Sequence, residues 1–143
     1  MVRKLQQRIG EGQRGFSLIE ILVVILIIGV LAAIALPAFL GQRSKGQDSS
    51  AKSAARNLVS AIESFYATNK TYVGAASDDD VQKSGVFGTG NDEADIASSS
   101  ATGFRIIGRS SSGNRFTITK AGSTVTRTCT TANTGACPSG GSW

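Results

Sequence analysis

The sequence predicts an α+β protein: a long N-terminal α-helix, about residues 16–69, packed on a small antiparallel β-sheet of three to four strands. Three observations predict it. From Ile21 to Leu40 no side chain carries a charge or a hydrogen-bonding group, and at about 1.5 Å per residue this run spans roughly 30 Å, the thickness of a bilayer's hydrocarbon core. Ala51, Ala54, Ala55, Leu58, Val59, Ile62, Phe65 and Tyr66 then recur at three- and four-residue steps, the apolar stripe of an amphipathic helix. From Gly103 onward the period changes to two in segments separated by turn residues, the pattern of a meander.

The chain thus divides into residues 1–15, 16–40, 41–69 and 70–143. The first segment sets Arg3, Lys4, Arg8 and Arg14 against Glu11, and basic residues ahead of an apolar span hold that end in the cytoplasm. The bias is modest, because Arg43, Lys45 and Lys52 flank the other end.

Glu20 stands at the start of the apolar run, among Phe16, Leu18 and Ile19. A carboxylate costs about 2.5–3.5 kcal/mol at a bilayer centre and less near its surface. No basic residue lies between Gly15 and Gln42, so its partner has to come from a chain terminus or another molecule. Within the run, Gly29 and Pro37 are weak points: glycine costs about 1 kcal/mol in a helix interior, and proline removes a hydrogen bond. Both are nonetheless common in membrane helices.

Arg14-Gly15-Phe16-Ser17-Leu18-Ile19-Glu20-Ile21-Leu22-Val23-Val24, followed by Ile28-Gly29-Val30-Leu31-Ala32-Ala33-Ile34-Ala35-Leu36-Pro37-Ala38, resembles the N-terminal signature of type IV pilins. A charged leader, Gly-Phe, a carboxylate at the fifth position counted from Phe16, and both Gly and Pro in the apolar run occur together. The resemblance covers about residues 14–42 closely and the remainder in general layout. It implies a type IV pilin-like fold and a cytoplasmic leader of residues 1–15, cut between Gly15 and Phe16 by a prepilin peptidase, with methylation of the new amine on Phe16. It also implies assembly into a homopolymer filament, in which Glu20 meets the Phe16 amine of a neighbour and the segment between Gly29 and Pro37 loosens. An assembly platform, assembly ATPases and the membrane are the further partners implied. A secretory signal cut near Ala33-Ile34-Ala35 is the alternative, but the apolar run exceeds the 7–15 residues usual there and leads straight into the amphipathic helix.

Beyond Asn69, residues 71–100 read as a loop-rich stretch with turn-prone steps. Asp78, Asp79, Asp80, Asp92, Glu93 and Asp95 face only Lys70 and Lys83 there. The run Asp78-Asp79-Asp80 lacks the alternating ligand spacing of a calcium loop, so a solvated acidic loop is the preferred reading. Strands follow at Phe104–Ile107, Arg115–Thr119 and Thr124–Thr128, with turns at Ser110–Asn114 and Lys120–Gly122. Phe104, Ile106, Phe116, Ile118 and Val125 form the face expected to cover the helix.

Arg105, Arg109, Arg115, Lys120 and Arg127 are expected to make the outward face a basic stripe able to bind DNA or another anionic surface by counterion release. No aromatic residues interleave to support nucleic-acid reading, and solubilising edge charges or contact with an adjacent subunit's acidic loop explain the stripe equally. Cys129 and Cys137, the chain's two cysteines, form a disulfide in an oxidising compartment, and the pair resembles the C-terminal disulfide-bounded loop of many pilins. Asn69-Lys70-Thr71 matches a glycosylation sequon, a weak signal, and Trp143 receives no role.

With no histidine, the chain lacks the commonest general base and metal ligand. No catalytic residue, metal or cofactor is predicted. The expected function is a structural subunit for adhesion, motility or DNA uptake, starting in the inner or cytoplasmic membrane and ending in a pilus on the cell surface. A pseudopilin of a type II secretion or competence machine shares the signature. A membrane-anchored extracellular binding module is the reading from a different class.

Overall fold

The computed structural model describes residues 15–143; Met1–Arg14, most of the segment expected to be a leader, lie outside the described residues. Helix α1 spans Leu18–Asn69, two residues later at its start than expected, because the backbone oxygen of Ser17 accepts the first bonds, from the Glu20 and Ile21 amides. The helical backbone runs through Gly29, Pro37, Gly41 and Gly46.

The chain separates into two compact units, one ending at Ala38 and one covering Phe39–Trp143. In the second, the stripe behaves as its spacing requires: Ala51, Ala54, Ala55, Leu58 and Ile62 are buried, while Val59, Phe65 and Tyr66 are partly buried against the same core. Past Asn69 come a 3-10 turn at Ala75–Ser77 and a short helix α2, Asp79–Gln82. The Asp78 side chain caps α2 by accepting from the amides of Asp80 and Val81, which satisfies donors that a helix start leaves free.

Four strands follow: β1 (Ala94–Ser99), β2 (Gly103–Arg109), β3 (Arg115–Ala121) and β4 (Thr124–Cys129). They form an antiparallel meander in the order β1-β2-β3-β4. β1 lies within residues 71–100, the stretch read as loop-rich, and is the fourth strand of the expected three to four. Its Ala-Asp-Ile-Ala-Ser-Ser sequence has one strong strand former, and pairing with β2, interrupted by a register shift between Ile96 and Ser98, makes it a strand.

Phe104, Ile106, Phe116 and Ile118 are buried facing the helix, but Val125 is 51% exposed. The expected apolar face therefore stops short of β4. Gly108 marks the closest approach of sheet and helix: a Cβ there would run into the backbone oxygen of Ala51. The basic stripe also needs correcting. Lys120 pairs with Phe104 and Arg127 with Ile118 in the sheet register, which puts both on the helix-facing side. Arg109 is tied to Asp95 in an ion pair, leaving Arg105 and Arg115 as the exposed cations of the outward face.

Candidate functional site

Gly15 and Phe16 precede α1 and are exposed, Phe16 to 75%. Glu20 lies in the first turn of α1, where the helix dipole favours a negative charge. Among the described residues no cation forms an ion pair with it. The large apolar side chains from Leu18 to Leu40 are all exposed, and this stretch is long and apolar enough to cross a membrane. Pro37 has no amide hydrogen for the Ala33 carbonyl one turn earlier, and Gly29 leaves a gap in the apolar side chains. A helix that is apolar all round needs lipid or other apolar chains about it. Chemically, this segment offers an apolar surface, one carboxylate and an accessible Gly-Phe bond.

Sequence reasoning overlooked the polar site of the second unit. Asp48 is fully buried on α1. Its Oδ1 accepts from the Ser110 hydroxyl at 2.7 Å and the Ser112 hydroxyl at 2.5 Å. Its Oδ2 accepts from Asn114 Nδ2 at 2.9 Å and the Ala136 amide at 2.7 Å. One carboxylate thus joins the helix, the β2–β3 turn and the loop closed by the Cys129–Cys137 disulfide. Burial alone raises such a carboxyl's pKa, but the bonds from Ser112, Ala136, Ser110 and Asn114 outweigh it and hold Asp48 below its ordinary value. Gly135 has φ +60, and a Cβ there would strike Asp48 Oδ2, so both backbone and space call for glycine. The signal was present in the sequence: Asp48 continues the stripe of Ala51, Ala55, Leu58 and Ile62 by one three-residue step.

A second polar group sits at the other end of the stripe. Lys120 Nζ donates to Glu63 Oε1 and to the Tyr72 hydroxyl, both at 2.7 Å, and the Tyr72 hydroxyl donates to Glu63 Oε2 at 3.0 Å. The bonds to Glu63 and then to Tyr72 raise the Lys120 pKa, while burial raises that of Tyr72.

Trp143 also has a defined place. It meets Phe116 edge-on at 5.5 Å and donates its indole N–H to the Thr128 carbonyl. Lys52, Arg56 and Arg127 all lie within 6 Å of its ring centre. In the acidic stretch, Asp79 pairs with Lys83 at 2.6 Å, Glu93 accepts from the Gly90 amide, and no group of three or more potential metal ligands converges among the described residues. The Asn69 side chain donates back to the Phe65 carbonyl.

Residues 12–36 match the family described as the prokaryotic N-terminal methylation motif. The chain is similar to a fimbrial protein of Neisseria meningitidis, 40% identical over 76 residues, which cover 49% of this chain and 45% of that protein. It is similar to the type IV major pilin protein PilA of Myxococcus xanthus, 40% identical over 65 residues, 46% of this chain and 30% of the relative. It is also similar to the type II secretion system core protein G of Pectobacterium carotovorum, 41% identical over 63 residues, 44% of this chain and 40% of the relative. The matches thus span less than half the length of each of these relatives.

Proposed function

We propose that this chain is the structural subunit of a type IV pilus filament, made as a precursor, cut between Gly15 and Phe16, methylated on Phe16 and polymerised through its N-terminal helix. The observation that carries the reading is the apolar stretch from Leu18 to Leu40, exposed on every side and headed by the matched methylation motif. Such a surface is stable in a bilayer before assembly and against the same segment of other copies afterwards.

Glu20 gives the assembly its register. Its carboxylate meets the freed amine of Phe16 on a neighbour, and an unpaired charge buried among apolar helices costs several kcal/mol. Arrangements that leave Glu20 without that amine are therefore disfavoured. Gly29 and Pro37 weaken the helix between them, so that it loosens as subunits leave the bilayer. A prepilin peptidase, an assembly platform and its ATPases act on the chain from the membrane side, and the filament serves adhesion, motility or DNA uptake outside the cell.

The test is mass spectrometry of membrane and sheared-surface fractions. A peptide beginning at Phe16 and one methyl heavier, in the sheared fraction, is the expected result. Glu20→Ala empties the sheared fraction while cleaved subunit stays in the membrane. An intact Met1 start, or cleavage near Ala35, overturns the reading. Similarity to the type II secretion core protein G supports a second reading, a pseudopilin; it predicts a Phe16 start confined to the membrane and no long surface fibres.

A further inference from the structure

The Trp143 rim concentrates positive charge, and among the described residues none of its cations forms an ion pair. The Arg56 and Arg127 guanidinium carbons lie 5.2 and 5.7 Å from the indole centre, with Lys52 Nζ at 5.4 Å. Lys52 is engaged, donating to the Ala136 carbonyl at 2.7 Å. Burial first, and then the charge of Arg56, push its ammonium pKa down against the opposing pull of Asp48. Arg56 and Arg127 are both exposed, and among the described residues neither forms an ion pair. Like charges gathered this closely repel unless an anion meets them. Beside them Val125, Ser142 and Trp143 wall an open groove along β4.

The opposite charge lies at the other edge of the same unit. Asp78, Asp79 and Asp80 follow the 3-10 turn that packs on β1. Among the described residues only Asp79 of the three forms an ion pair, with Lys83; Asp78 caps α2 through one oxygen, and Asp80 is exposed. Two uncompensated carboxylates at the β1 edge thus match two uncompensated guanidiniums at the β4 edge. With the strand order β1-β2-β3-β4, these two surfaces cannot meet within one molecule. Complementary surfaces at opposite edges make head-to-tail contacts, which propagate without closing when the rotation between copies does not return on itself.

We propose that the Trp143 rim, through Arg56 and Arg127, receives the Asp78–Asp80 turn of a second copy of this chain. The contact rests on the filament reading and names which surfaces of neighbouring heads meet. A second copy is favoured over a free polyanion because the charges match two against two, and because the other exposed cations of the sheet, Arg105 and Arg115, lie on the outward face rather than extending the rim into a track.

The test uses the full chain expressed in filament-forming cells. Arg127→Glu and Asp80→Arg each lower sheared filament yield about fivefold or more, and the two together restore it. Cleaved subunit in the membrane, with its disulfide intact on a non-reducing gel, shows that the variants fold. In Arg127→Lys filaments a carbodiimide joins position 127 to Asp80 of a neighbouring copy, which reads the contact without disturbing charge. Unchanged yield in both single variants, or a double variant as poor as either single one, overturns the contact. So does an Arg127→Glu variant that keeps its filaments but loses retention on heparin beads, which makes the rim a polyanion site. If the unaltered chain gives no sheared filaments, the filament reading falls and the contact with it; normal filaments indifferent to these charges sink the contact alone.

Discussion

The two units of this chain hold their apolar residues in opposite ways. From Phe16 to Ala38 every large apolar side chain is exposed. In the unit from Phe39 onward a smaller set, Leu58, Ile62, Tyr72, Phe104, Ile106 and Ile118, forms a closed core. The difference is one of pattern more than amount. An apolar residue at every position has no polar face to turn to water, so it needs an environment from outside the chain. A stripe every three or four residues has one face to cover, and a four-stranded sheet from the same chain covers it.

By that contrast, substitutions in the second unit move its melting transition and substitutions in the first do not. The largest shift is expected for Asp48→Ala, which strands the donors of Ser110, Ser112, Asn114 and Ala136 in a buried site. The loss is about 3–5 kcal/mol, measured by thermal melting of the detergent-solubilised chain. The charge can be isolated by pH. Because the Asp48 pKa is below 3.8 in the folded state, its contribution is full above the unfolded value and disappears as pH falls through the folded one. Asp48→Asn should therefore flatten the stability profile below pH 3.8; an unchanged acid limb would show that the carboxylate does not act as the clamp.

Reducing Cys129–Cys137 is the next largest effect, about 2–4 kcal/mol for a short loop, and it should be smaller in Asp48→Ala, where the loop has already lost its anchor. A near-equal loss in both backgrounds would separate disulfide and clamp into independent supports. Glu63→Gln comes third, at about 0.5–1 kcal/mol, since its ion pair with Lys120 is partly open to solvent. The Lys120 pKa is raised in the folded state, so this pair stabilises below pH 10.5, the unfolded value, and the benefit is lost as pH climbs through the folded one. Glu63→Gln should reduce that alkaline slope, the Tyr72 bond keeping a smaller part of it.

The smallest shift sharpens the contrast most. Leu26→Ser leaves the melting of the second unit within about 0.5 kcal/mol of the unaltered chain, while lowering retention of the chain in membranes. A cooperative loss of the head's transition with Leu26→Ser would join the two units into one folding body.

Several features were determined by local pattern and legible without coordinates. An unbroken apolar run, a three-four stripe and three period-two segments specify helix and strands through rules that act within a few residues, and two cysteines leave one possible pairing. Gly15, Phe16 and Glu20 were legible for the same reason, as a motif contiguous in sequence. Tertiary structure decided what depends on residues far apart. β1 became a strand through its ladder with β2. Lys120 and Arg127 turned toward the helix because the register of β3 and β4 sets their side, and Glu63 and Trp143 wait there. Asp48 became a clamp only when donors from residues 110–114 and 136 converged on one buried carboxylate. Periodicity records which face a residue occupies, whereas the partner across that face is chosen by chain closure over dozens of residues, and no local pattern carries that choice.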